Sequence, residues 1–190
     1  FEPKTRERYS YNSQGNITLQ SFYSFRENSM TWFTDTEIEF EYYANGLLKD
    51  TKRKYARFNG SMQYNRKYIH TYNSDGNLIL VERVNWDHSS DNWDSKTTLV
   101  MSYTYNSAGQ RMTSEYGNNR TEYTYNFKGL LDSTFTKLKF QGIWKTRSAN
   151  KSIYNNLDSL SFVVGEDYNY KVDTVIGRDT NLYSYNSDTL

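Results

Sequence analysis

From residue 31 to residue 43 the chain alternates strictly, with Trp32, Thr34, Thr36, Ile38, Phe40 and Tyr42 on one parity and Phe33, Asp35, Glu37, Glu39, Glu41 and Tyr43 on the other. A period of two places successive side chains on opposite faces, so the segment predicts a strand with one apolar and one acidic face. The same alternation recurs as Tyr-x-Tyr with a small or β-branched residue between the rings, as in Tyr9-Ser10-Tyr11, Tyr103-Thr104-Tyr105 and Tyr123-Thr124-Tyr125. No segment carries the 3.6-residue periodicity of an amphipathic helix, and little or no helix is expected.

Each Tyr-x-Tyr runs into a turn. Tyr11-Asn12-Ser13-Gln14-Gly15, Tyr72-Asn73-Ser74-Asp75-Gly76, Tyr105-Asn106-Ser107-Ala108-Gly109 and Tyr125-Asn126-Phe127-Lys128-Gly129 are four clear copies, and weaker ones lie at 42–48, 153–158 and 183–188. Counted by the last tyrosine (11, 43, 72, 105, 125, 154, 185), the copies are spaced by 32, 29, 33, 20, 29 and 31 residues. Asn opens such a turn by bonding its own backbone, and Gly takes the left-handed conformation of a closing bulge, so each copy reads as a β-hairpin. Asn45-Gly46 reads as a tighter type I′ turn; as a two-residue loop it sets Glu39 opposite Lys52 and Glu37 opposite Lys54. A period near thirty leaves room for two strands and a second turn at the far end, with candidates at 27–29, 59–61, 87–92, 117–119, 141–142 and 165–167. The expectation is an all-β, tandem-repeat antiparallel meander of about 12–14 long strands in a single twisted or coiled sheet. Residues 1–190 form one continuous array, with turn motifs near 12–15, 44–46, 73–76, 106–109, 126–129, 155–158 and 186–189.

Composition sharpens this. Nineteen tyrosines and a mean hydropathy of −0.93 make the aromatic ring the main apolar material, which suits a thin sheet wet on both faces. Twenty-three basic and 22 acidic residues are spread along the chain, giving no field to draw in nucleic acid or an anionic membrane. Cysteine is absent, which excludes disulfides, zinc-thiolate sites and thiol nucleophiles. His70 stands at a tyrosine position of the repeat, and His88 lies in a loop with Asp87, Asp91 and Asp94 that lacks a calcium-loop spacing, so no metal or cofactor is expected. Ser148-Ala149-Asn150-Lys151 matches a Ser-x-x-Lys pattern, but on a strand rather than the helix that chemistry requires. Glu37, Glu39 and Glu41 could supply a glycosidase pair, yet lysines face them; no enzyme is expected. Four tryptophans, Trp32, Trp86, Trp93 and Trp144, fall toward the far turns and are the candidate ligand-binding residues, through stacking on sugar rings.

Tyr-x-Tyr-Asn-x-x-Gly-Asn-Leu/Ile resembles the YD-repeat unit that builds the coiled β-shells of Rhs toxins and teneurins. With Trp86-Asp87-His88-Ser89-Ser90-Asp91-Asn92-Trp93 and Gln141-Gly142-Ile143-Trp144 between tyrosine hairpins, the chain is more closely similar to YD-like arrays of secreted Bacteroidetes proteins. The resemblance implies an extracellular or cell-surface location, often through type IX secretion, and a segment of a longer protein. It also implies O-glycosylation at Asp-Ser/Thr triplets, with Ser133, Ser159, Thr174 and Thr189 as candidates. The function expected is a structural or adhesive repeat segment whose partners are neighbouring repeats or further copies of itself, with surface glycans or other cell-surface proteins as further partners. A carbohydrate-binding module and a YD-type shell enclosing a partner are the alternatives.

Overall fold

The computed structural model describes residues 5–27, 29–154, 160–169 and 174–182. The described part of the protein is all-β: its fourteen strands pair antiparallel in chain order within each compact unit, except β7, which pairs only with β6. Two compact units divide it, Phe1–Val100 and Met101–Leu190. The first holds β1 (Thr5–Tyr11), β2 (Ile17–Arg26), β3 (Thr31–Tyr42), β4 (Leu48–Ala56), β5 (Met62–Tyr72), β6 (Leu78–Asp87) and the short β7 (Asn92–Trp93), which folds back on β6. The second holds most of β8 (Thr98–Tyr105), then β9 (Arg111–Tyr116), β10 (Asn119–Tyr125), β11 (Leu131–Phe140), β12 (Ile143–Tyr154), β13 (Leu160–Asn169) and β14 (Thr174–Leu182).

The repeated turn owes its shape to one carboxamide. In each clear copy the Asn side-chain oxygen accepts two backbone N–H groups, from the residues two and four positions on; for Asn73 these are Asp75 at 3.1 Å and Asn77 at 2.8 Å. The glycine N–H closes the turn on the Asn carbonyl, and Gly76 sits at φ 82°, where a Cβ would be strained. At 43–46 and 57–60 the first position is Tyr43 or Arg57, and the chain compensates: Asn45 and Asn59, at the third position, each accept the N–H of the residue after Gly at 3.1 Å. The 43–46 turn is therefore no type I′ turn. Tyr43 pairs with Leu47 and only Gly46 has positive φ, so it has the shape of its neighbours, with Tyr43 in the asparagine slot and Tyr42 as the motif tyrosine. The expected register survives, because a bulge at Lys49 restores Glu39 opposite Lys52 and Glu37 opposite Lys54. The motif turns near 155–158 and 186–189 lie outside the described residues.

Further bulges decide which way the side chains face. Asp35 on β3 and Asn65 on β5 are skipped by their partners, so parity inverts there. Trp32, expected on the face of Ile38 and Phe40, pairs instead with Phe25 on the face of Glu37, Glu39 and Glu41. Tyr64 comes round to the same face, opposite Lys54. The first unit thus has a tryptophan face, with Trp32, Trp86 and Trp93 at the far turns, and a tyrosine face, with the motif rings at the near turns.

Little of this is a hydrophobic core. Among the described residues only Val81 (8% exposed) and Val84 (4%) are buried apolar side chains, one on each face. Cohesion comes from backbone ladders and the tyrosines. Tyr42 donates its hydroxyl to the Ile17 carbonyl at 2.9 Å and Tyr72 to Leu48 at 3.0 Å; Tyr125 donates to Arg111 at 2.9 Å and Tyr154 to Leu131 at 2.7 Å. Every acceptor is the first strand residue after the turn of the preceding hairpin, so each of these four tyrosines staples its repeat to the one before. A phenol is the side chain that can cover a neighbouring strand with its ring and still end in a donor.

Candidate functional site

On the tryptophan face of the first unit, cross-strand pairing sets Trp86 opposite Trp93, and the Asn65 bulge delivers Tyr64 to both. The Trp86 and Trp93 rings meet edge to face at 4.9 Å between centroids, and Tyr64 lies 5.1 Å from Trp86 and 5.2 Å from Trp93. Lys54 sits 4.6 Å over Tyr64 and Lys67 5.3 Å over Trp93. The Trp86 Nε1–H is buried without a hydrogen-bond partner. Trp32 packs edge-on against Phe25 at 5.3 Å beneath the Arg6 guanidinium, and remains 37% exposed. Trp144, in the second unit, lies under Arg120 at 4.6 Å and Lys139 at 5.5 Å. The structure brings Trp86 and Trp93 together; each of the four rings is covered by a neighbour rather than standing free.

Beside this cluster the acidic stripe is met by lysines on the diagonal. Lys52 reaches Glu41 at 3.1 Å rather than its direct neighbour Glu39, Lys49 joins Glu41 at 2.6 Å, and Lys54 bonds Glu39. Lys49 and Lys52 hold the Glu41 carboxyl well below its ordinary value, at about 2. Asp50 lies directly opposite Glu41; burial pushes its pKa up. In the far loop the Asp87 carboxylate takes the N–H of Ser89 at 2.9 Å and the hydroxyls of Ser89 and Ser90, both at 2.7 Å, which lower its pKa to about 2. Among the described residues no three His, Asp or Glu side chains gather as metal ligands. Ser148 and Lys151 stand an odd number of positions apart on β12 and pair with Asp167 and Val164 respectively.

The second unit carries an open groove of about 400 Å³ on the face of Trp144. Ala149, small between Phe135 and Glu166 in one cross-strand row, leaves the hollow; Ser133, Lys151 and Val164 form the next row. Glu166 is held by Arg178 at 2.5 Å. Of the glycosylation candidates, Ser133 is buried in β11 with its hydroxyl donated to Asp132 at 2.9 Å, so a glycan there requires the strand to open. Thr174 begins β14, and Ser159 and Thr189 lie outside the described residues.

Sequence reading passed over two features. Phe58 and Phe127 stand at turn tips, 109% and 94% exposed, where the x positions of the turn admit any residue. Arg53, Arg66 and Arg83 share the tyrosine face of the first unit. Their grouping depends on the far turn at 57–60 and on the Asn65 bulge, neither of which the tyrosine motif marks.

No family model and no curated protein matches the chain. Among solved structures it is similar to a DUF3836 family protein from Bacteroides vulgatus ATCC 8482 (TM-score 0.43, 11% identity, covering 50% of this chain and 97% of that one). A DUF3836 family protein from Parabacteroides distasonis ATCC 8503 gives a TM-score of 0.41 at 15% identity over 52% of this chain and 87% of that one. TcdB2-TccC3 without its hypervariable C-terminal region gives 0.41 at 14% identity, covering 96% of this chain and 11% of that one. At these scores the likenesses carry no function, and the all-β assignment rests on the strands themselves.

Proposed function

We propose that the chain is a non-catalytic repeat segment of an extracellular or cell-surface protein, structural and adhesive in role, whose sheet edges join further repeats or further copies of itself. The tyrosine staple carries this reading. Tyr42, Tyr72, Tyr125 and Tyr154 each donate to a carbonyl of the preceding hairpin, whereas Tyr11, on the edge strand β1, is 59% exposed and its hydroxyl makes no hydrogen bond among the described residues. An edge that offers both open backbone groups and an unused staple is built to receive another hairpin of the same kind. Sedimentation velocity over a concentration series tests it. The chain is expected to associate as concentration rises, and Tyr9→Lys with Tyr11→Lys, which charges the edge, is expected to stay monomeric. A parent chain that remains monomeric at the highest concentration overturns the reading.

A second reading, carbohydrate binding, is favoured by one observation: the buried, unpartnered Trp86 Nε1–H beside Trp93, a donor that a sugar hydroxyl could satisfy. Glycan-array binding that disappears in Trp86→Ala and Trp93→Ala supports it; silence of the parent chain removes it.

A further inference from the structure

The two faces of the first unit treat positive charge differently. On the tryptophan face Lys49, Lys52 and Lys54 meet Glu39, Glu41 and Asp50. On the tyrosine face Arg53 lies directly opposite Arg66, and Arg83 is paired to Tyr68, two residues along β5 from Arg66. Like charges in direct register are destabilising unless something neutralises them. The described partners in those rows are Tyr9, Gln20, Ile38, Phe40, Thr51, Tyr68 and Asn85, none of which carries a carboxylate. Among the described residues no ion pair is made by any of the three arginines. Arg66 bonds only Asn65 at 2.8 Å and the Tyr68 hydroxyl at 3.5 Å. Arg53 stacks 4.8 Å over Tyr55, and the Nε atoms of Arg53 and Arg83 are buried with no partner. All three side chains are half-buried. A partly desolvated guanidinium nitrogen without an acceptor is costly; Arg53 and Arg83 each carry one, and with Arg66 they place three planar forks in one cross-strand neighbourhood.

We propose that Arg53, Arg66 and Arg83 form an oxyanion-binding patch on the tyrosine face, receiving the sulfate, phosphate or carboxylate group of an anionic ligand. Guanidinium forks bind such groups through paired, charge-assisted hydrogen bonds. The Tyr68 hydroxyl lies within the patch as a further polar contact. Ordinary net charge does not account for the patch, because the whole chain carries only +1. The inference is independent of the edge reading, since the patch lies on β4, β5 and β6, away from the β1 edge and Tyr11.

Calorimetric titration with sodium sulfate at constant ionic strength tests it, alongside dextran sulfate and uncharged dextran. The parent chain is expected to bind sulfate or dextran sulfate and not dextran. Arg53→Gln with Arg66→Gln is expected to bind about tenfold or more weaker, from the loss of charged hydrogen bonds. Lys52→Gln with Lys67→Gln, the same charge change on the opposite face, is expected to retain parent affinity. Equal binding of inorganic sulfate and dextran sulfate per sulfate group assigns the patch to a free anion; clear preference for the polymer assigns it to an acidic glycan. Absence of binding by the parent chain to either, or equal weakening by the lysine pair, overturns the proposal. Removal of like-charge repulsion leaves the arginine variant folded, which circular dichroism checks; if it is not folded, the single variant Arg83→Gln carries the same expectation.

Discussion

The stapling tyrosines Tyr42, Tyr72, Tyr125 and Tyr154 do two jobs at once, and they can be separated by removing a single oxygen. Tyr72→Phe keeps the ring over the neighbouring strand and deletes the bond to the Leu48 carbonyl. Urea unfolding is expected to show a loss of about 0.5–1.5 kcal/mol, the net worth of one such hydrogen bond. Tyr11→Phe, whose hydroxyl makes no hydrogen bond among the described residues, is expected to leave stability unchanged and so serves as the internal control. His70 occupies the companion position of the same motif, opposite Val81, with its Nδ1 buried and unpartnered. Burial lowers its pKa below the ordinary 6.5. The folded state therefore resists a proton that the unfolded chain takes up: this contribution is fully present above pH 6.5 and is lost as pH falls from 6.5 toward the lowered folded value. Between about pH 7.5 and about pH 5, a window that brackets the ordinary histidine range, the parent chain is expected to lose more stability than His70→Gln. Equal losses in paired urea melts would show that His70 does not carry the effect. The motif's identity was plain in the sequence; its hydroxyl's partner was not, because the acceptor lies 24 residues away in the chain.

At the level of elements, one skipped residue decides the face of everything beyond it. The alternation of residues 31–43 is unbroken in the sequence, yet the Asp35 bulge sends Trp32 to the acidic side. A bulge is a relation between two strands, so the spacing of residues along one strand carries no sign of it. The Asn65 bulge does the same for Tyr64, which completes the ring cluster with Trp86 and Trp93. Deleting Asn65 is expected to return Tyr64 to the tyrosine face and dissolve the cluster. The readouts are loss of near-ultraviolet circular dichroism and a red shift of tryptophan emission, with the near turns intact. Unchanged spectra would show that the cluster does not depend on that bulge. The pairing of Glu39 with Lys52 was expected from a two-residue loop, but it is reached by another route, a longer turn whose extra residue is taken up by the Lys49 bulge. The partners of the ion pairs were not legible in advance, since lysines reach along the diagonal to Glu41 and Glu39.

Across the molecule, stability rests on ladders and ring coverage rather than on apolar burial, since Val81 and Val84 alone form the buried apolar set among the described residues. Unfolding should therefore expose little apolar surface, and calorimetry is expected to give a heat-capacity change per residue below the ~12–15 cal/mol/K of ordinary globular domains. A value within that range would mean that apolar burial is larger than this packing provides. The sequence by itself determined the all-β class, the strand-and-turn cadence near thirty residues and the hairpin chemistry, because a turn is specified by residues within four positions of one another. Tertiary structure alone decided which face each ring occupies, that Trp86 and Trp93 meet while Trp32 and Trp144 lie under other cations, and that Arg53, Arg66 and Arg83 gather without a carboxylate. Those outcomes depend on bulges and on register between strands, which are properties of pairs of segments and are written in neither segment alone.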